Sequence, residues 1–145
     1  MTTATTATAA RAAPVRPIVY VACSNTRTVL EIATDSWTLL RRIDVGASPY
    51  VIAVDTQNRR LVATLHEDNA VAVVDLATGV VTRLAVDGHA PHGVALSRDG
   101  RFAFITTEGA GTERGAIEVL DIAARQSIAT LPLGYGAGSI TVLHH

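Results

Sequence analysis

Residues 60–101 read RLVATLHEDNAVAVVDLATGVVTRLAVDGHAPHGVALSRDGR. Apolar, β-branched runs alternate there with short polar connections, the pattern of strands joined by tight turns. The spacing predicts strands over RLVATL (60–65), AVAVVDL (70–76), VVTRLAV (80–86) and HGVALS (92–97), separated by HEDN, ATG and the DGHAP segment. SRDG then leads into RFAFITT, where the phrase begins again. Ser97 and Asp99 in that Ser-x-Asp-Gly turn are expected to bond to nearby backbone.

Outward from this stretch the phrase recurs on both sides. Tyr20, Val62 and Phe104 start the equivalent segments YVAC, VATL and FITT, with 42 residues at each step. Gly46, Gly88 and Gly134 mark a second register with steps of 42 and 46. β-rich units at such a period point to propeller blades. The expectation is an all-β chain, a β-propeller of about three four-stranded blades over residues 18–145. Residues 1–17, MTTATTATAARAAPVRP, are expected to be a flexible Thr/Ala-rich tail, closed by Pro14 and Pro17. Glu31, Asp75 and Asp121 end corresponding strands and are expected to cap the turns that follow.

VYVAC at Val19, AVAVVDLATG at Ala70 and APHGVALSRDGR at Ala90 carry a family resemblance. Together they resemble the propeller repeats named for Tyr-Val-Thr-Asn, found in lactonase-like and nitrite-reductase-like propellers. The flanking copies, SPYVIAVDTQNR at Ser48 and AGSITVLHH at Ala137, depart from the pattern. Gly88-His89 and Val74-Asp75 echo the WD repeat more weakly, because the other copies lack Gly-His.

The resemblance implies that the P-h-G-I-A segment is a blade's inner strand. With strands lettered A to D from the inside, the chain reads B-C-D, A-B-C-D, A-B-C-D, A. A last A strand is expected near Gly138 to Leu143, and the first B-C-D set lacks one. Three blades fall short of the usual four to eight. Two completions fit: the chain is part of a longer propeller, or two chains close a six-bladed ring, each lending its last strand to the other.

Composition narrows the function classes. Twelve basic residues stand against thirteen acidic ones, there is no Lys, and aromatics are 4%. A nucleic-acid surface calls for a basic stripe and stacking aromatics, so no nucleic-acid partner is expected. Apolar runs are too short for a membrane-spanning helix, so a soluble protein with no membrane partner is expected. The N-terminal segment has no compact apolar run of the kind a secretory leader carries. The single Cys23 forms no intrachain disulfide, and the compartment stays open.

Strand direction sorts the loops. B-C and D-A loops share one face, and the B-C loops vary most in length between copies. Variable loops on a rigid frame are where recognition concentrates. That face collects Asn25, Arg27, His66, Glu67, Asp68, Glu108, Glu113 and Arg114 from B-C loops, with Tyr50, His89 and His92 from D-A loops. Tyr50, His66 and His92 are the expected ligand-binding residues, Tyr50 and His92 nearest the axis.

No catalytic residue emerges. G-x-S-x-G is absent, Cys23 has no neighbouring base and reads as a small buried side chain, and GAGTERG at Gly109 lacks the helix a phosphate loop requires. That loop is expected to be a long, mobile hairpin connection. His66, Glu67, Asp68 and His92 supply metal-competent donors, but their spacing matches no ligand motif, so no metal or cofactor is expected. The expected function is a non-catalytic module that binds a protein, peptide or small ligand through the B-C and D-A face. The alternative is a fragment or subunit of a lactonase-like or haem-bearing propeller enzyme. Self-association, or pairing with missing blades, is the expected partnership.

Overall fold

Alternating Val, Ile, Leu, Ala and Thr build a chain of strands in the computed structural model, which describes residues 16–57 and 59–144. The expected tail thus falls outside the described residues except for Arg16 and Pro17. A three-stranded sheet comes first, β1 (Ile18–Cys23), β2 (Thr28–Ala33) and β3 (Thr38–Asp44). The second sheet holds β4 (Ile52–Val54), β5 (Arg60–Leu65), β6 (Ala70–Asp75) and β7 (Val81–Ala85). The third holds β8 (Pro91–Leu96), β9 (Phe102–Thr107), β10 (Ala116–Asp121) and β11 (Gln126–Pro132). Every neighbouring pair is antiparallel and consecutive in sequence. Strands expected within 60–101 match β5 to β8 to within a residue at each end.

Side chains alternate between the two faces of each strand, so each sheet can serve two neighbours. One apolar layer joins the first two sheets through Val29, Ile43 and Val45 against Leu61, Ala63, Leu65 and Val74. A second joins the last two through Val62, Val71, Val73 and Leu84 against Val94, Leu96, Ile105 and Leu120. The middle sheet is therefore covered on both faces. Fully burying each such Val, Leu or Ile contributes roughly 1.5–3 kcal/mol. β1 touches β4, and β8 touches β4 and β5, so the sheets converge on the side where β4 and β8 lie.

The turns follow their side-chain chemistry. Asp75 Oδ1 accepts the backbone N–H groups of Ala77 and Thr78, both at 2.9 Å. Asp121 Oδ1 accepts from Ala124 N at 3.0 Å. These bonds favour the ionised carboxylate and lower both acids, led by Thr78 at Asp75 and by Ala124 at Asp121. Ser97 Oγ donates to Asp99 Oδ1 at 2.6 Å and accepts from Phe102 N at 3.0 Å, as the Ser-x-Asp-Gly turn predicts. Gly100 there has φ +68°, and an added Cβ would meet Asp55 Oδ2 at 2.5 Å.

Two expectations are corrected. Glu31 does not cap its turn; it accepts from Arg41 Nε at 3.0 Å and Nη2 at 2.5 Å. It stands inside β2, paired with Tyr20 as Val73 pairs with Val62, so Ala33 and not Glu31 occupies the place of Asp75; Arg41 continues to the Leu76 carbonyl at 3.0 Å, tying the first sheet to the second. The last A strand is also missing, since residues 137–144 form no strand. A strand needs a neighbour for its ladder, and no described strand lies where its B partner would stand.

Candidate functional site

The B-C and D-A loops meet at one end of the sheets. Val86 N donates to Asn69 O, Ala90 N to Asn69 Oδ1, and Glu108 N to Ala90 O. Tight turns over Ser24–Thr26 and His66–Asp68 end in left-handed residues, Arg27 at φ 60° and Asn69 at φ 47°. Asn is among the non-glycine residues that adopt that conformation most readily, and here the Asn69 amide oxygen is occupied by Ala90 N. Ala90, at φ 52°, lacks that help and is held immediately before Pro91 and His92 by its N–H donating to the Asn69 side-chain oxygen and its carbonyl accepting from Glu108 N.

Tyr50, His66 and His92 come together. The Tyr50 ring lies 4.8 Å from His92 in an edge-on contact and 5.2 Å from His66 in a tilted one. Tyr50 is 53% exposed. Glu108 completes the group, with Oε2 3.5 Å from His66 Nε2 and Oε1 3.5 Å from His92 Nε2. A carboxylate only accepts, so both imidazoles present Nε2–H to it when they bond. His92 Nδ1 is buried and has no hydrogen-bond partner among the described residues. The four side chains come from both sides of the junction between the second and third sheets.

Thr64 fixes that junction from inside. Its buried Oγ1 accepts from Val51 N at 3.0 Å and donates to His92 O at 2.8 Å, linking the residues after Tyr50 to the backbone of His92. Glu118, 1% exposed, accepts from Asp87 N and Gly88 N at 3.0–3.2 Å and anchors the loop before β8. Neither was singled out from the sequence. Glu118 had a signal, a charge at a β10 position whose counterpart in β6 is the fully buried Ala72.

The other face residues disperse. Arg27 bonds to the Gly46 carbonyl and, with Ser48, Glu67 and Asp68, lines a cleft of about 280 Å³. Asp68 pairs with Arg83 at 2.8 Å, and Arg114 lies over the Tyr135 ring at 5.8 Å. Asn25 sits within the Ser24–Thr26 turn. His89 Nδ1 meets Glu113 Oε2 at 2.8 Å, and Ala110 N also donates to Glu113 Oε2, so Glu113 links the GAGTERG connection to the loop before β8. His66, Glu67, Asp68 and His92 do not converge, and among the described residues no group of three or more His, Cys, Asp or Glu is arranged to hold a metal ion. Larger clefts, about 400 and 660 Å³, lie towards the opposite end, around Asp75 and Arg125 and around Tyr20 and Arg41. Burial and the Glu31 carboxylate raise the Tyr20 hydroxyl there, against the lowering effect of Arg41.

No family model and no curated protein matches the chain. Solved structures do. Hydrazine synthase from Kuenenia stuttgartiensis superposes with a TM-score of 0.73 at 18% identity, over 81% of this chain and 34% of that one. The dihydro-haem d1 dehydrogenase NirN in complex with DHE gives 0.65 at 16% identity, over 85% and 27%. The WD40 repeats of RRP9 give 0.66 at 13% identity, over 82% and 35%. The fold is that of β-propeller proteins, and the chain spans about a third of the length of these structures. They include both enzymes and WD40 repeats, so the fold alone does not choose between catalysis and binding.

Proposed function

We propose that the chain is a non-catalytic propeller module that binds a peptide, protein or small ligand at the Tyr50–His66–His92–Glu108 cluster. The observation that carries this reading is the half-exposed Tyr50 ring set against two imidazoles that share one carboxylate. A large aromatic plane beside a carboxylate suits a cationic or hydrogen-bond-donating group, which gains from the ring face and from a charge-assisted bond to Glu108. No nucleophile with a neighbouring base accompanies it among the described residues.

The test is a screen of defined cationic and neutral peptides and small molecules by thermal shift, with titration calorimetry of any hit. Tyr50→Ala and Glu108→Gln are expected to weaken binding about tenfold or more, the loss of one good contact of about 1.4 kcal/mol. Arg125→Ala, which alters the opposite cleft, is expected to leave it unchanged. Hits weakened by Arg125→Ala and indifferent to Tyr50→Ala would overturn the assignment.

A second reading, part of a larger propeller enzyme, draws on the two enzymes among the fold neighbours, of which the matched stretch is 34% and 27%. Haem titration followed by visible absorption tests its haem-bearing form. A saturable Soret shift abolished by His66→Ala or His92→Ala would favour it.

A further inference from the structure

The two apolar layers between sheets are the same interface built twice. In the first, the second sheet presents Leu61 and Ala63 to its predecessor; in the second, the third sheet presents Ala103 and Ile105, and all four are 0% exposed. The repeat places Val19 and Val21 of β1 in the same register, yet these are 40% and 41% exposed. At the other end, Val62 of β5 is fully buried while its counterpart Phe104 in the third sheet is only partly covered, and Leu131, which pairs with Ile117 as the buried Leu84 pairs with Val71, is largely exposed. The molecule thus shows both halves of a third such interface, unjoined.

Among the described residues the inner edge of β1 is unpaired, and a matching segment lies at the other end of the chain. Thr64 Oγ1 donates to the carbonyl of His92, where the inner strand of the next sheet begins. Thr106 Oγ1 donates in the same way to the carbonyl of Gly138, and a Cβ on Gly93 would meet that oxygen at 2.5 Å. Residues 138–142 therefore enter the position of a further inner strand, packed on the third sheet and lacking a B strand. In the two complete sheets, Ile52 pairs with Ala63 and Val54 with Leu61, and Val94 pairs with Ile105 and Leu96 with Ala103. Carried forward, the register sets Ile140 opposite a Val21 and Val142 opposite a Val19.

We propose that the occupant of both free surfaces is a second copy of this chain. The Ile140–Val142 segment of each copy pairs with β1 of the other, and the outer face of each third sheet packs on the other's first sheet. Two such contacts related by a two-fold axis close a ring of six sheets and leave no free inner edge. The six-bladed ring gives each first sheet its fourth strand.

The test is the mass in solution of the protein at micromolar concentration, by light scattering after size exclusion. Twice the chain mass is expected. Val21→Asp changes a side chain already half in solvent, so it leaves the single chain folded, as circular dichroism checks, and is expected to shift the mass to one chain. In a Cys23→Ser background, Val19→Cys with Val142→Cys is expected to give a disulfide-linked dimer on oxidation, because strand neighbours fall within disulfide reach. A single-chain mass for the parent protein overturns the proposal and assigns the free surfaces to other blades. A mass above two chains, a dimer unaffected by Val21→Asp, or a link formed only within one chain overturns it equally.

Discussion

Replacing Thr64 by Val tests whether one hydroxyl holds the candidate site to the fold. The side chain is 0% exposed, so the substitution keeps shape and burial and removes only the oxygen. Two bonds disappear, from Val51 N at 3.0 Å and to His92 O at 2.8 Å. Each contributes about 1 kcal/mol net, and leaving a buried partner unpaired adds about 1–3 kcal/mol, so a loss of about 2–4 kcal/mol is expected. Thr106→Val removes the matching bonds to Gly93 N and Gly138 O, but in the single chain the Gly138 segment is less covered, so solvent is expected to compensate one partner. Its expected loss is smaller, about 1–2 kcal/mol.

Urea unfolding followed by circular dichroism measures both, with an unchanged denaturant slope as the sign that the unfolded state is unaltered. Thr64→Ser is expected to recover most of the loss. A Thr64→Val deficit below about 0.5 kcal/mol, the scale of a neutral surface change, would refute the reasoning. So would a Thr106→Val deficit larger than that of Thr64→Val.

Glu118→Ala strands the Asp87 and Gly88 amides in the interior, with an expected loss of about 2–4 kcal/mol in the same unfolding assay, whereas Glu118→Gln keeps acceptor geometry and loses less. Gly100→Ala combines a left-handed backbone with a Cβ 2.5 Å from Asp55, and its melting temperature is expected to fall by several degrees, about 1 kcal/mol or more. Asp75, Asp99 and Asp121 all have folded values below the ordinary carboxylate, Asp99 chiefly through the Ser97 hydroxyl. Folding therefore gains from their ionisation above the unfolded value and loses that gain as pH falls through the folded values. Acid titration is expected to show stability dropping below about pH 4, with a shallower drop in the triple Asp→Asn variant.

The repeat made the strands legible because a period of two in apolar residues and Gly or Asp at turns are local signals. The Asp75 and Asp121 turns followed from composition for the same reason. Glu31 did not, because the ladder register makes Ala33, not Glu31, the counterpart of Asp75, and register is set by the neighbouring strand rather than by the segment itself. Phase arithmetic was enough to place Tyr50, His66 and His92 on one end. It put Glu108 on the same face but did not place it between the imidazoles, because the 108–115 connection is twice the length of those after β1 and β5. The strand expected at 138–143 failed for a different reason. Propensity is a property of a segment, and a ladder is a property of two.

The doubly covered middle sheet sets an order of opening. In a linear stack, each sheet is held by its own ladder and by nearest neighbours, so the ends release before the centre. Leu61, Val62, Ala63 and Val74 have neighbours on both sides at 0% exposure, whereas β11 is exposed along most of its length. In a single chain, amide protons of β5 and β6 are therefore expected to exchange only on global unfolding and those of β1 and β11 through local fraying, a contrast that closure of the ring by a second copy is expected to narrow. His66 rides on the slow part and Glu108 follows β9 in the third sheet, so the two halves of the cluster are anchored to units of different lifetime.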